Sequence, residues 1–187
     1  MTLLILGLTL FIGIHLLPSF PAWRGNLVQR WGERRYKAVF AGIALAGLVL
    51  LVMGKAGAPF VSVYSPPAWG RHVTPLFVLA AFILLPAAHM RSNIKRYTRH
   101  PMLWGVTLWA LGHLLSNGDL ASLILFGSLA AYSLFDMASA NLRGAVKSVT
   151  VYPLKKDATV VAAGVVTYVV FLLLHPYLFG VPVFAGG

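Results

Sequence analysis

Six apolar stretches mark out the chain, at residues 3–20, 38–54, 73–90, 102–116, 120–140 and 159–175, with short polar connections between them. Each comes close to the roughly 20 residues that carry a helix across the hydrocarbon layer. The pattern predicts an all-α fold, an integral membrane bundle of six transmembrane helices. The fourth stretch is the shortest, and Gly105 and Gly112 leave its ends least sharply marked. The first lacks a basic leader and a small-residue cleavage site, and Pro18-Ser19-Phe20-Pro21 follows it, so it reads as a retained span. Ser116-Asn117-Gly118-Asp119 reads as a tight turn, with Gly118 ending one helix and Asp119 capping the next. Two pairs with small-residue spacing, Gly42 with Ala46 and Gly127 with Ala131, are expected to bring helix backbones close. Residues 56–71, with Pro59, Tyr64, Pro66, Pro67 and Trp69, read as an interfacial loop with aromatic anchors. With no internal repeat and no separate soluble segment, residues 1–187 are read as one transmembrane domain.

Composition sharpens this picture. The chain has 187 residues, 59% of them apolar and 10% charged, and a mean hydropathy of +0.81. A soluble domain carries about a quarter charged residues, so a soluble enzyme is excluded. The absence of cysteine removes disulfides, thiolate metal sites and cysteine nucleophiles together. The net charge of +11 raises the question of nucleic acid, and the placement of the charges answers it. The first connection carries Arg24, Arg30, Arg34, Arg35 and Lys37, the third Arg91, Lys95, Arg96 and Arg99, and the fifth Arg143, Lys147, Lys155 and Lys156. Only Lys55 and Arg71 belong to the second connection. By the positive-inside rule the odd connections are cytoplasmic and both termini lie on the outer, periplasmic side. The expected partner is the lipid bilayer, with attraction to its anionic lipids, and no nucleic acid.

Ionisable side chains within spans need a reason. Of the six histidines, His72, His89, His100 and His175 fall at helix ends, where a wet imidazole is ordinary. His15 and His113 lie about 18 Å and 17 Å into their spans, counted from opposite sides at 1.5 Å per residue. Two neutral imidazoles near mid-membrane suit haem b, whose iron takes axial nitrogen ligands. Gly105 and Gly112 would leave a flat groove for a porphyrin, and Trp104 and Trp109 would wall it. The alternative is that each histidine bonds a helix carbonyl and the glycines serve packing. Zinc fits less well, because it asks for three or four ligands. Asp136, the single acidic residue within a span, is expected to pair with Arg143 or Arg99.

Three segments carry a resemblance: Thr98-Arg99-His100-Pro101-Met102-Leu103-Trp104-Gly105, Leu111-Gly112-His113-Leu114-Leu115-Ser116-Asn117-Gly118-Asp119, and Gly13-Ile14-His15-Leu16-Leu17-Pro18-Ser19. Together they resemble the NnrU family of bacterial membrane proteins, over nearly the whole chain. That family is similar to the plant and cyanobacterial zeta-carotene isomerase. The resemblance implies a multi-pass protein of the bacterial inner membrane that holds haem b iron between His15 and His113, with redox-dependent ligation and cis-trans isomerisation of a carotene. Arg99 and His100 are the favoured partners for the haem propionates. Around Ala131 to Phe135 the isomerase carries a histidine and this chain does not. The family's association with nitrite and nitric oxide reduction implies a second reading, a haem-binding accessory or sensor for denitrification. The ligand would be an apolar polyene in the first reading and a small gas such as nitric oxide in the second. The Arg-His-Pro segment is also similar to methyltransferases of the isoprenylcysteine type, but those carry acidic residues further on, where this chain has only Asp136 and Asp157.

Overall fold

The computed structural model describes residues 1–181 and 183. It is helical throughout: α1 (Thr2–Leu16), α2 (Pro21–Trp31), α3 (Glu33–Ala56), α4 (Gly70–Ala87), α5 (Ile94–Tyr97), α6 (Pro101–Leu114), α7 (Leu120–Leu142) and α8 (Leu154–Phe179). The only strand-like pairing among the described residues is an isolated antiparallel bridge between Ser62 and Asp119.

Local chemistry sets the boundaries. Pro21 and Pro101 open α2 and α6, where the missing N–H costs nothing. Gly32, at φ 78° and ψ 152°, separates α2 from α3 in a backbone region open only to glycine. Asp119 caps α7 by accepting the backbone N–H of Ser122 at 3.0 Å.

Five helices, α1 with its following turn, α3, α4, α7 and α8, are long and apolar enough to cross a membrane. The fourth expected span differs. Its helix, α6, stops at Leu114 after 14 residues, about 21 Å at 1.5 Å per residue. Protein packs against one flank of it and holds its C-terminal end. Its Gly105 and Gly112 sit on α4, and its last carbonyls are taken by other segments. The Tyr64 hydroxyl donates to the carbonyl of Leu114, and to that of Asn117 at 2.9 Å. Thr74 Oγ1 donates to the Gly112 carbonyl at 2.6 Å.

The helices pack in the order α3, α1, α7, α6, α4, α8, with α3 also touching α7. The core lies between α1, α3, α6 and α7 and is built from Leu4, Leu8, Leu51, Ala110, Leu125, Phe126 and Leu129. Backbones meet at glycines, though not at the expected ones. A Cβ on Gly54 would stand 2.3 Å from the Leu4 nitrogen, on Gly7 2.6 Å from the Leu51 nitrogen, and on Gly47 2.8 Å from the Phe11 nitrogen. These three lie seven or more residues apart on facing antiparallel helices and form one seam between α1 and α3. Gly164 seats α8 on Phe82 and Ile83 of α4 in the same way. Gly42 and Gly127 face open space. Spacing alone could not reveal which face of each helix meets protein and which meets lipid. Gly118 is likewise not a left-handed helix stop. It is needed because a Cβ there would stand 1.9 Å from the Tyr64 carbonyl.

Spans consecutive in sequence run in opposite directions, so the bundle has two distinct ends. At one end Lys55 Nζ donates to Asp119 Oδ1 at 2.9 Å, the Ser122 hydroxyl donates to Asp119 Oδ2 at 2.6 Å, and Val63 N–H donates to the Gly118 carbonyl at 2.9 Å. At the other, Asn93 accepts from Tyr152 N–H at 3.0 Å and its own N–H donates to Asp157 at 2.7 Å, joining α4–α5 to the start of α8. Every Lys and Arg except Lys55 and Arg71 belongs to a connection at this second end. The expected ion pair is there too, with Arg143 3.6 Å from Asp136.

Two outcomes follow from this packing. Gly54→Ala should lower the stability of the detergent-solubilised protein by about 1–3 kcal/mol, the usual cost of overpacking, while Gly42→Ala should leave its thermal melting unchanged. At Asp119, burial opposes ionisation, but the hydrogen bonds from Ser122 and Lys55 and the Lys55 charge outweigh it and hold the pKa below the usual carboxylate value. A depressed folded pKa stabilises at pH values above the unfolded one, and that contribution is lost as pH falls through the folded value. Asn keeps a capping oxygen but loses the charge that faces Lys55, so Asp119→Asn should melt lower than the native chain at pH 7, by about 1 kcal/mol, and the gap should close below about pH 4.

Candidate functional site

The two histidines buried in the spans lie on either side of α7. His15 is the next-to-last residue of α1 and His113 the next-to-last of α6. The His15 ring lies 4.3 Å from Phe11, 5.1 Å from Phe40 and 6.2 Å from Tyr132 between ring centroids. The His113 ring stacks on Phe126 at 4.6 Å and 25°, with Trp109 at 4.9 Å. Trp109 in turn meets Phe126 edge-on at 4.9 Å. Aromatic faces thus enclose both imidazoles, and both rings are half-buried.

Their hydrogen bonds match. His15 Nδ1 is 2.7 Å from the Phe11 carbonyl, and His113 Nδ1 is 2.8 Å from the Trp109 carbonyl, each one helical turn back. A carbonyl oxygen only accepts, so the neutral imidazoles carry their proton on Nδ1 and keep the Nε2 lone pair free. This is the second-shell bond that orients a metal-binding histidine, and it is also the bond of a merely satisfied one. Each imidazole in this tautomer presents one unshared nitrogen that a metal could take.

Depth is set by helix direction. The rings contact Phe126 and Tyr132, six positions apart on α7, about 9 Å along its axis. Helical side chains lean toward the N-terminus of their own helix. Since α1 and α6 run in opposite directions, this lean brings the two rings closer in depth than their Cα atoms, and the spacing of their partners on α7 already includes it.

The family model described as NnrU protein matches residues 3–183. The chain belongs to the NnrU family. No curated protein and no solved structure matches it.

Within this NnrU protein the other expected site residues are dispersed. Trp109 stands beside His113, as above. Gly105 and Gly112 face α4: a Cβ on Gly105 would lie 3.2 Å from the Ala81 carbonyl, and on Gly112 3.0 Å from the Phe77 Cβ. Their face is filled by protein and leaves no groove for a porphyrin, so packing explains them. Arg99 and His100 are both 3.0 Å from Asn141 Oδ1, at the end of α7. They stand about 20 Å along α6 from His113, and the structure does not bring them to it. Among the described residues no three His, Asp or Glu side chains gather as a metal site, and a histidine pair is the largest donor set near α7.

Two side chains join the site that sequence reading passed over. The Tyr132 hydroxyl donates to the His15 carbonyl at 3.1 Å, and it lies 3.5 Å from Asp136 Oδ2. Ser19 donates to Asp136 Oδ1 at 2.9 Å. Together they tie the end of α1 to α7 at the level of His15. The available signal was the one-turn spacing of Tyr132 and Asp136 on an otherwise apolar helix. Tyr132→Phe should cost about 1 kcal/mol, the net worth of one hydrogen bond, in thermal melting of the purified protein. Phe126→Ala, by emptying a buried aromatic site against His113, should cost about 3–5 kcal/mol.

Proposed function

We propose that this NnrU protein binds haem b in a bacterial inner membrane, with His15 and His113 as the imidazole ligands. The observation that supports the reading is the shared state of the two: each has its Nδ1 on a carbonyl one turn back, which leaves Nε2 unshared. An apolar site in lipid favours a neutral ligand over an ionised one, and imidazole is a neutral ligand this chain supplies within its spans. Haem, when bound, would supply a redox-active iron, and these nitrogens would hold it.

The chain's own residues then have definite tasks. Phe11 and Trp109 hold the tautomers through their carbonyls. Phe126, Trp109 and Phe40 keep water from the rings. Tyr132, on the His15 carbonyl and near Asp136, fixes the end of α1 that carries one ligand. α1 and α7 meet over a small area beside the α1–α3 seam, so the His15 flank is the one better able to yield. A carotene-like polyene would reach the aromatic walls laterally from lipid, and redox-dependent cis-trans isomerisation is the activity this arrangement serves. The concentration of Lys and Arg at the Arg99 end supports a cytoplasmic position for that end and a periplasmic position for both termini.

One observation favours a second reading. Tyr132 stands in the stretch where the similar isomerase carries a histidine, which supports a haem-binding accessory or sensor tied to nitrite and nitric oxide reduction, taking a small gas and turning over no polyene.

The test is a visible spectrum of purified protein, oxidised and then dithionite-reduced. An intense Soret band, with sharp alpha and beta bands on reduction, is expected. His15→Ala and His113→Ala should each abolish or alter it, and His72→Ala and His175→Ala should not. A featureless spectrum after haem is supplied during expression would overturn haem binding. A spectrum unaltered by both ligand substitutions would overturn the assignment of the pair. With haem established, carotene isomers in a carotene-accumulating host separate the two activities.

A further inference from the structure

The link between the inner ends of α1 and α3 is itself a helix, and its surface is unlike that of the spans. In α2 (Pro21–Trp31), Trp23, Leu27 and Trp31 recur every four residues and form one stripe, with Arg24 and Arg30 on its two borders. Gly25, Asn26 and Gln29 lie opposite. The helix is too short and too polar to cross a bilayer. It packs mainly on the preceding turn and the start of α3, where the Arg24 guanidinium lies 5.5 Å from the centroid of the Tyr36 ring. Its aromatic side chains remain uncovered: Trp23 is 66% exposed, Trp31 44% and Phe20 47%. Beyond the Gly32 break, Arg34 and Arg35 are exposed on the first turn of α3, while Lys37 is occupied by Glu33 at 2.8 Å. Among the described residues no acidic side chain is paired with Arg30, Arg34 or Arg35.

We infer that α2 and the first turn of α3 form a binding surface for anionic phospholipid headgroups. Indole rings favour the interface, where the ring meets acyl chains and the N–H meets water. A basic helix with an apolar stripe lies in that layer, held by buried apolar area and by attraction to anionic lipid. Three unpaired guanidiniums beside two exposed indoles supply both terms, and guanidinium is the cation best shaped for phosphate oxygens. Gly32 makes the arrangement possible, because its backbone angles let an interfacial helix turn directly into a spanning one. This inference is independent of what the histidines hold.

The experiment uses the full chain in nanodiscs of equal parts phosphatidylglycerol and phosphatidylcholine, with bromine on the acyl chains of one lipid or the other, reading tryptophan quenching. Native protein should be quenched more by brominated phosphatidylglycerol, and the preference should shrink as salt is raised from 0.05 to 0.5 M. Arg30→Ser/Arg34→Ser/Arg35→Ser should lower the preference, by about fivefold in lipid partition for each charge removed. Trp23→Phe/Trp31→Phe should remove most of the differential signal, which locates it at α2 and not at the other tryptophans. Equal quenching by both lipids in the native protein, or a preference unmoved by salt, would overturn the inference without any variant having to fold. A preference that survives the triple substitution would place the lipid elsewhere.

Discussion

Close approach of helix backbones is the constraint on which this bundle depends. Between helices in lipid there is little water to expel, so association rests on packing and on polar contacts. The α1–α3 seam meets that demand with Gly7, Gly47 and Gly54, each placed where even a methyl group would overlap facing backbone. Because the seam is tight, α1 and α3 behave as one unit against α7, and the position of His15 follows from theirs. On the other side, Gly105 and Gly112 bring α6 close to α4, less tightly, with a Cβ 3.2 Å from the Ala81 carbonyl and 3.0 Å from the Phe77 Cβ, and the position of His113 follows from that pair. α7 lies between two glycine-sealed pairs and receives an imidazole from each.

The polar groups add register. Asp119 joins a helix cap, a lysine from α3 and a serine of α7 in one cluster, which sets the height of α7 against α3. Asn93 with Asp157 sets α8 against the end of α4. Asp136 sets α1 against α7 through Ser19. Three of the chain's four acidic residues are used in this way, so few carboxylates are left for chemistry. That scarcity is why the histidines draw attention.

Much of this was legible in the sequence. Apolar run length gave the helices, basic residues gave the two ends, and the Asp119 cap and the Asp136–Arg143 pair were foreseen from side-chain type and position. The family was legible from three short segments, and its model covers residues 3–183. Helix faces were not legible. Gly42 and Gly7 look alike in a list of small residues, yet one faces open space and the other meets the Leu51 backbone. Gly105 and Gly112 share a face with each other but not with His113, whose ring turns to Phe126. Arg99 and His100 were expected beside the cofactor, yet they bond Asn141 at the far end of α6; the Tyr132 bond to His15 depends on which helices become neighbours, and hydropathy does not encode that.

The length of α6 has a mechanical consequence. At about 21 Å it falls short of a hydrocarbon layer of about 30 Å, while its partners α4 and α7 are longer. Lipid beside the exposed flank of α6, where Trp104 and Leu111 look outward, must thin, or headgroups and water must dip toward the helix ends, at a cost that grows with each ångström of mismatch. The bilayer therefore presses unevenly on the bundle, hardest on the helix that bears His113, and membrane thickness becomes a force on that imidazole.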